Sequence, residues 1–450
     1  MVCQEQALLR QMERFFCVPA LSQTQALLSD TPPCDFKSLR RVLLSRCPGK
    51  AAHSFSALRT SIGAFERFMR SNQDSHFDFF VDLLPHIHSW ALAYPSHAPL
   101  ELSVLRAGSA PLHTTLSRGA IRTLLSNAFF LNVLPFHDDH ADGGASRVEN
   151  RQFGNISFLG LYRTVHELAV QRLLCFLGYF ACARSFEPHE LEEVVCYERH
   201  TLLDSDLPDW GSLDQKIDVS QINVTPDNME KSNAKCIMDF ANKALHIYKI
   251  IPSATQEEIL FSTCPEAFPG ILFCDILQER EAIIIRNVRR LIEYEGYSSS
   301  FRFQGFYSGV KLHNIIVADA TDSEHFSRPM IDRDLNKAYL AFMAATRWPL
   351  TDPPAPSLEA NKISTSHWGC GAFKGDKHLK FLQQVCASTL AGARLDYSTF
   401  NDPEMAASFI RLLGLISSRN HTISSIYLAI SDYVEEKGIF SEHIFGVLSQ

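Results

Sequence analysis

From about Glu193 onward, short β-rich runs alternate with helical stretches, and this alternation limits the fold more than any other feature. The runs are VVCYE near 194, KIDVSQINV near 216, KCIMDFA near 235, EAIIIRNV near 281, VKLHNIIVADA near 310 and NKISTSHW near 361. Helical periodicity fills Ile331 to Ala345, His378 to Leu390, Pro403 to Ser417 and Ile423 to Glu436. Strands that alternate with helices bury both faces of a sheet, so an α/β layered domain is expected. Upstream, Phe79 to Leu92, Ile121 to Leu134 and Leu161 to Ala183 carry apolar residues at helical spacing, with Pro85 interrupting the first. The expected division is an N-terminal segment (1–30), a helical accessory region (31–195) and an α/β domain (196–450). The stretches HDDHADGGASRVEN (137–150) and TDPPAPSLEA (from Thr351) read as surface loops.

Apolar residues make up 46% of the 450, enough for a substantial core. A net charge of −8 gives no basic footprint, which argues against duplex nucleic acid as a partner. Twelve cysteines without CxxC spacing suggest reduced thiols and an intracellular setting, cytoplasmic or nuclear. The N-terminus shows no secretory apolar region, and no run is long enough to cross a bilayer, so no membrane partner is expected. His137, Asp138, Asp139 and His140 are metal ligands by type, but no second cluster matches them. Neither a metal nor a cofactor is expected.

The chemistry concentrates in Gln256-Glu257-Glu258, seventeen residues after Asp239. Cleavage of a glycosidic bond needs a carboxylic acid protonated at the moment it meets the leaving oxygen, and a neighbouring carboxylate with partial burial can raise a glutamate far enough. Adjacent glutamates are also common at ordinary helix N-termini, where the dipole favours them. Asp239 is less easily explained away, because a carboxylate on an apolar strand needs a partner or a role.

Several blocks together resemble the poly(ADP-ribose) glycohydrolase family. They are LLSNAFFLNVLP (124–135), PDWGSLDQKIDV (208–219), MDFANK (238–243), QEEILF (256–261), EGYSSSFRF (295–303), DRDLNKAYLAF (332–342), WGCGAFKGD (368–376) and STFND (398–402). The resemblance implies a macrodomain-like mixed-sheet core with helices on both faces, plus the helical accessory region. By position it places Asp239 and Asn242 beside the distal ribose and makes Glu257 a ligand of ribose hydroxyls. Glu258 becomes the acid/base, and Gln256 completes the run. Tyr297, Phe373 and Phe400 would surround the adenine and diphosphate, with His367 standing where the family carries Asn. The implied partners are poly(ADP-ribose) or ADP-ribose, and through them ADP-ribosylated proteins or a larger assembly.

The chain departs from the family around the ligand. His246, Ile247 and Tyr248 replace a Gly-Gly-Gly loop, Lys374 replaces a Gly, and Ser398 stands where an aromatic is common. Glycine permits positive φ and close approach of backbone N–H groups to a diphosphate, which β-branched Ile and bulky Tyr do not easily allow. Three functions stay open on these residues: an active glycohydrolase, an ADP-ribose reader without turnover, and a pseudoenzyme scaffold.

Overall fold

The computed structural model describes residues 15–16, 28, 31–46, 55–93, 102–108, 112–133, 154–346, 361–433 and 438–450. The loops at 137–150 and from Thr351, including His137 to His140, lie outside the described residues.

Eight strands form one sheet: β1 (Leu112–Ser117), β2 (Val194–Thr201), β3 (Ile222–Thr225), β4 (Cys236–Ala241), β5 (Glu281–Glu295), β6 (Arg302–Asp319), β7 (Lys362–Thr365) and β8 (Arg394–Ser398). Their spatial order is β1-β2-β5-β6-β4-β7-β8-β3. Pairing is antiparallel from β1 to β6 and parallel from β6 to β3, so the sheet is mixed. In the middle of the sheet every residue from Glu281 to Arg286 is buried. Side chains alternate across a strand, so unbroken burial means that both faces are covered.

The helices used below are α1 (Ser56–Asn72), α2 (Leu84–Leu92), α3 (Arg118–Phe129), α4 (Glu167–Ala183), α5 (Gln256–Thr263), α6 (Arg328–Thr346) and α7 (Lys377–Ala391). Pro85 sits in the first turn of α2, where a missing N–H costs nothing, and a wide turn, Phe79–Leu83, precedes it. The interruption expected at Pro85 is therefore a helix start. Two strands went unread in the sequence. LHTTLS, inside the helix-rich region, pairs Leu112 with Arg199 and closes one edge of the sheet, and RLDYS pairs Leu395 with Ile222 near the other.

The cleft arises where parallel pairing fails. Strands β4 and β7 share only Cys236↔Ile363 and Ile237↔Ser364, then diverge. Beyond that point the Gln256 side chain substitutes for the missing neighbour: its Oε1 accepts from Phe240 N–H at 2.8 Å and its Nε2 donates to the Met238 carbonyl at 2.9 Å. The segments leaving the carboxyl ends of these parallel strands surround the gap, the usual place for a ligand in an open α/β sheet.

Candidate active site

Helix α5 starts at the cleft, and its first turn is built by local hydrogen bonds. Thr255 caps it in a capping box with Glu258. One Glu258 oxygen accepts from Thr255 N–H at 2.8 Å, from the Thr255 hydroxyl, and from Ser253 Oγ at 3.4 Å. Burial works to raise the Glu258 carboxyl, but the His246 ring, the Thr255 hydroxyl and Arg172 together hold it below its ordinary range. Burial lowers His246 itself to about 4, so at neutral pH the ring is uncharged and Thr255 and Arg172 carry the effect.

Two more carboxyls lie behind this turn, and burial pushes both well above the ordinary range. Asp239 is fully buried, with neither oxygen hydrogen-bonded, and Glu258 raises it further. Glu257 is 5% exposed and is raised next by Asp239, while its Oε1 accepts from His246 N–H at 2.7 Å. Burial thus favours the neutral form of Glu257 and Asp239, and the Thr255 and Arg172 contacts favour the charged form of Glu258.

The folded chain binds the Asp239 proton more tightly than the unfolded chain does. Its stabilisation is complete below the unfolded value of 3.8 and is lost as pH rises through the raised folded value. Asp239→Asn should therefore be more stable than the parent at pH 7, with the gap closing toward pH 4 in thermal melts.

The glycine-free loop keeps the backbone that glycines would provide. His246, Ile247 and Tyr248 have φ of 52°, 48° and 58°. Bulky side chains do not exclude this geometry, contrary to the expectation from sequence; they leave it strained, by about 1–2 kcal/mol per residue. Surrounding contacts hold it. His246 N–H is fixed by Glu257, Ile247 N–H donates to Ala244 O at 2.7 Å, and the Tyr248 carbonyl accepts from Asn155 N–H at 2.8 Å. Lys374, the other substituted glycine position, also has positive φ, at 61°. The strain has a direct test: Ile247→Gly should be more stable than Ile247→Ala by about 1 kcal/mol in chemical denaturation, reversing the usual order of those residues.

Beside α5 lies a cavity of about 280 Å³. Gln256, Tyr297, His367, Phe373 and Phe400, all singled out in the sequence, line it. Tyr297 and Phe400 are partly exposed at its mouth, with ring centroids 5.2 Å apart in an edge contact. Ser398 positions Phe400 by accepting its N–H at 3.1 Å. Burial, and then Lys377, lowers His367 to about 4, so it faces the cavity uncharged.

Asn242 is not on this wall; its Oδ1 accepts from Ala244 N–H at 3.1 Å and shapes the loop start. Glu257, Glu258 and Asp239 are also off the wall, which near them is made by Thr255 and Gln256. Sequence reading missed Glu230 and Tyr294, which line the cavity together. Burial raises the Glu230 carboxyl, which hydrogen-bonds the Tyr294 side chain. NMEK carries no local signal of this, because the partner lies sixty-four residues away on β5.

A mixed sheet with helices on both faces, an aromatic cavity at the carboxyl ends of its parallel strands and a buried carboxyl cluster beside it define an α/β domain of the macrodomain type. The model for the macro domain fold of poly(ADP-ribose) glycohydrolase matches residues 207–407, and the model for that family's helical domain matches residues 69–199. The chain belongs to the poly(ADP-ribose) glycohydrolase family. Poly(ADP-ribose) glycohydrolase 1 of Arabidopsis thaliana is 25% identical over 441 residues, covering 80% of this chain and 79% of that protein. Poly(ADP-ribose) glycohydrolase 1 of Caenorhabditis elegans is 25% identical over 319 residues, covering 65% of this chain but only 39% of the nematode protein. The crystal structure of the Deinococcus radiodurans glycohydrolase in complex with ADP-ribose is 17% identical, with a TM-score of 0.28, covering 48% of this chain and 93% of that one.

Proposed function

We propose that this chain hydrolyses ribose–ribose O-glycosidic bonds of poly(ADP-ribose), with Glu258 as acid/base. One observation carries the reading: three consecutive non-glycine residues are held in strained left-handed geometry directly beside the buried carboxyls. Strain of this kind persists where the surroundings over-determine it, and it collects at functional sites.

The base of an ADP-ribose unit enters the cavity against Tyr297 and Phe400, with Glu230 and Tyr294 at its polar edge. A ribose reaching Thr255 displaces the hydroxyl that Glu258 now accepts. Glu258, which binds a proton more readily once that hydrogen bond is lost, gives it to the departing ribose oxygen as the C1–O bond breaks. The resulting carboxylate then removes a proton from the water that adds to C1. Glu257 orients the ribose hydroxyls, with Asp239 beside it.

The second reading, an ADP-ribose binder without turnover, is favoured by one observation: the cavity wall excludes all three carboxyls. Calorimetry with ADP-ribose and a turnover assay separate the two. Phe400→Ala should weaken ADP-ribose binding under both, by about 1–3 kcal/mol if a base stacks there. Unchanged affinity would remove the cavity from either reading. Activity in cells would place the protein where poly(ADP-ribose) is made, in the nucleus or cytoplasm.

A further inference from the structure

Arg172 belongs to none of the sequence blocks above. It projects from α4 in the helical region and is fully buried. Its Nε donates to Ser262 Oγ at 3.1 Å, its Nη1 to the Ile251 carbonyl, and its Nη2 contacts His246 Nε2 at 3.1 Å. One guanidinium thus ties together helix α5, the far end of the strained strap and the first left-handed residue.

A guanidinium can only donate, so His246 Nε2 accepts. The proton must then sit on Nδ1, which donates to the Lys249 carbonyl at 2.8 Å. The ring packs against Phe261 and Phe268, each with centroids 5.3 Å away. His246 is therefore fixed in one tautomer and one orientation, and its own N–H holds Glu257. The charged or titratable groups that act on Arg172 are Glu258, Cys175 and Glu257.

We propose that Arg172 is the positioning residue of this site: through His246 it fixes the strap 246–251, and with it the placement of Glu257. The consequence for turnover rests on the hydrolytic reading above; the consequence for His246 does not.

The full chain, labelled with ¹⁵N-histidine, tests this in three forms: parent, Arg172→Lys and Arg172→Met. In the parent, His246 should appear as the neutral Nδ1–H tautomer throughout pH 5–8. In both variants the Lys249 carbonyl still keeps the proton on Nδ1, but Nε2 loses the guanidinium and the nearby cation moves or vanishes, so the Nε2 resonance should shift and the ring should titrate at higher pH. Turnover should fall by about tenfold or more with KM within threefold, because the geometry of the acid changes while the aromatic cavity does not. Identical His246 spectra in parent and variants would overturn the proposal. If neither Arg172 variant folds, His246→Gly, which keeps Arg172, gives the second test. Amide exchange across 247–251 should speed up at least tenfold, and unchanged protection would overturn the proposal. A parent without turnover would sink the hydrolytic reading alone, since the histidine spectra would still decide the role of Arg172.

Discussion

Glu258→Gln should lower turnover of poly(ADP-ribose) by about 10²- to 10⁴-fold while leaving ADP-ribose affinity within about threefold of the parent. The amide can still accept a hydrogen bond from Thr255, so the capping box and the start of α5 should survive. What it cannot do is carry a proton to a departing oxygen. The cavity lies on the Gln256 and Ile259 side of α5, so binding there should be unaffected. A parallel loss of affinity would mean that Glu258 is a structural support and that the acid lies elsewhere. Single-turnover kinetics paired with calorimetry on the same preparation would distinguish these outcomes.

Gly154→Ala should be a strongly damaging small substitution outside the carboxyl cluster. A Cβ at this position would lie 2.3 Å from Ile271 Cγ2, 2.5 Å from the Ile271 carbonyl oxygen and 3.0 Å from the Tyr248 Cα. Two of those three atoms are backbone and cannot rotate away. Overpacking of this kind costs about 1–3 kcal/mol. Displacement would fall on Ile271 and on the strap, where the next residue, Asn155, donates its N–H to the Tyr248 carbonyl. Gly160 makes the same demand nearby, where a Cβ would meet the Ile250 carbonyl oxygen at 2.6 Å. The helical region thus presses on the strap at two glycines. Gly154→Ala is expected to lower the denaturation midpoint and turnover together. Full turnover in a destabilised protein would show that the strap does not shape the site.

The sequence was most legible where chemistry is carried by residue type and periodicity. The alternation after Glu193 led to the α/β layered domain, the family resemblance led to its mixed sheet, and the QEE run led to the first turn of α5. Tyr297, His367, Phe373 and Phe400, all singled out in the sequence, line one cavity. What stayed hidden depends on contacts distant in sequence. Strand β1 sits in a helix-rich region and is short, so only its partner β2 reveals it. Arg172 looks like one charge within an apolar helix until Ser262, Ile251 and His246 are seen around it. Gln256 lines the cavity, and both ends of its amide bond the backbone of β4 where β7 has diverged, which its sequence neighbours do not show. The strap shows how a composition argument falls short: absence of glycine raises the cost of left-handed geometry, and tertiary contacts can outweigh that cost.

The decisive experiment is incubation of the purified full chain with end-labelled poly(ADP-ribose), followed by chromatography for released ADP-ribose. The hydrolytic reading predicts release that grows with time and disappears in Glu258→Gln. No release at stoichiometric protein, with ADP-ribose still bound, would contradict hydrolysis and leave a domain that recognises the polymer without cutting it.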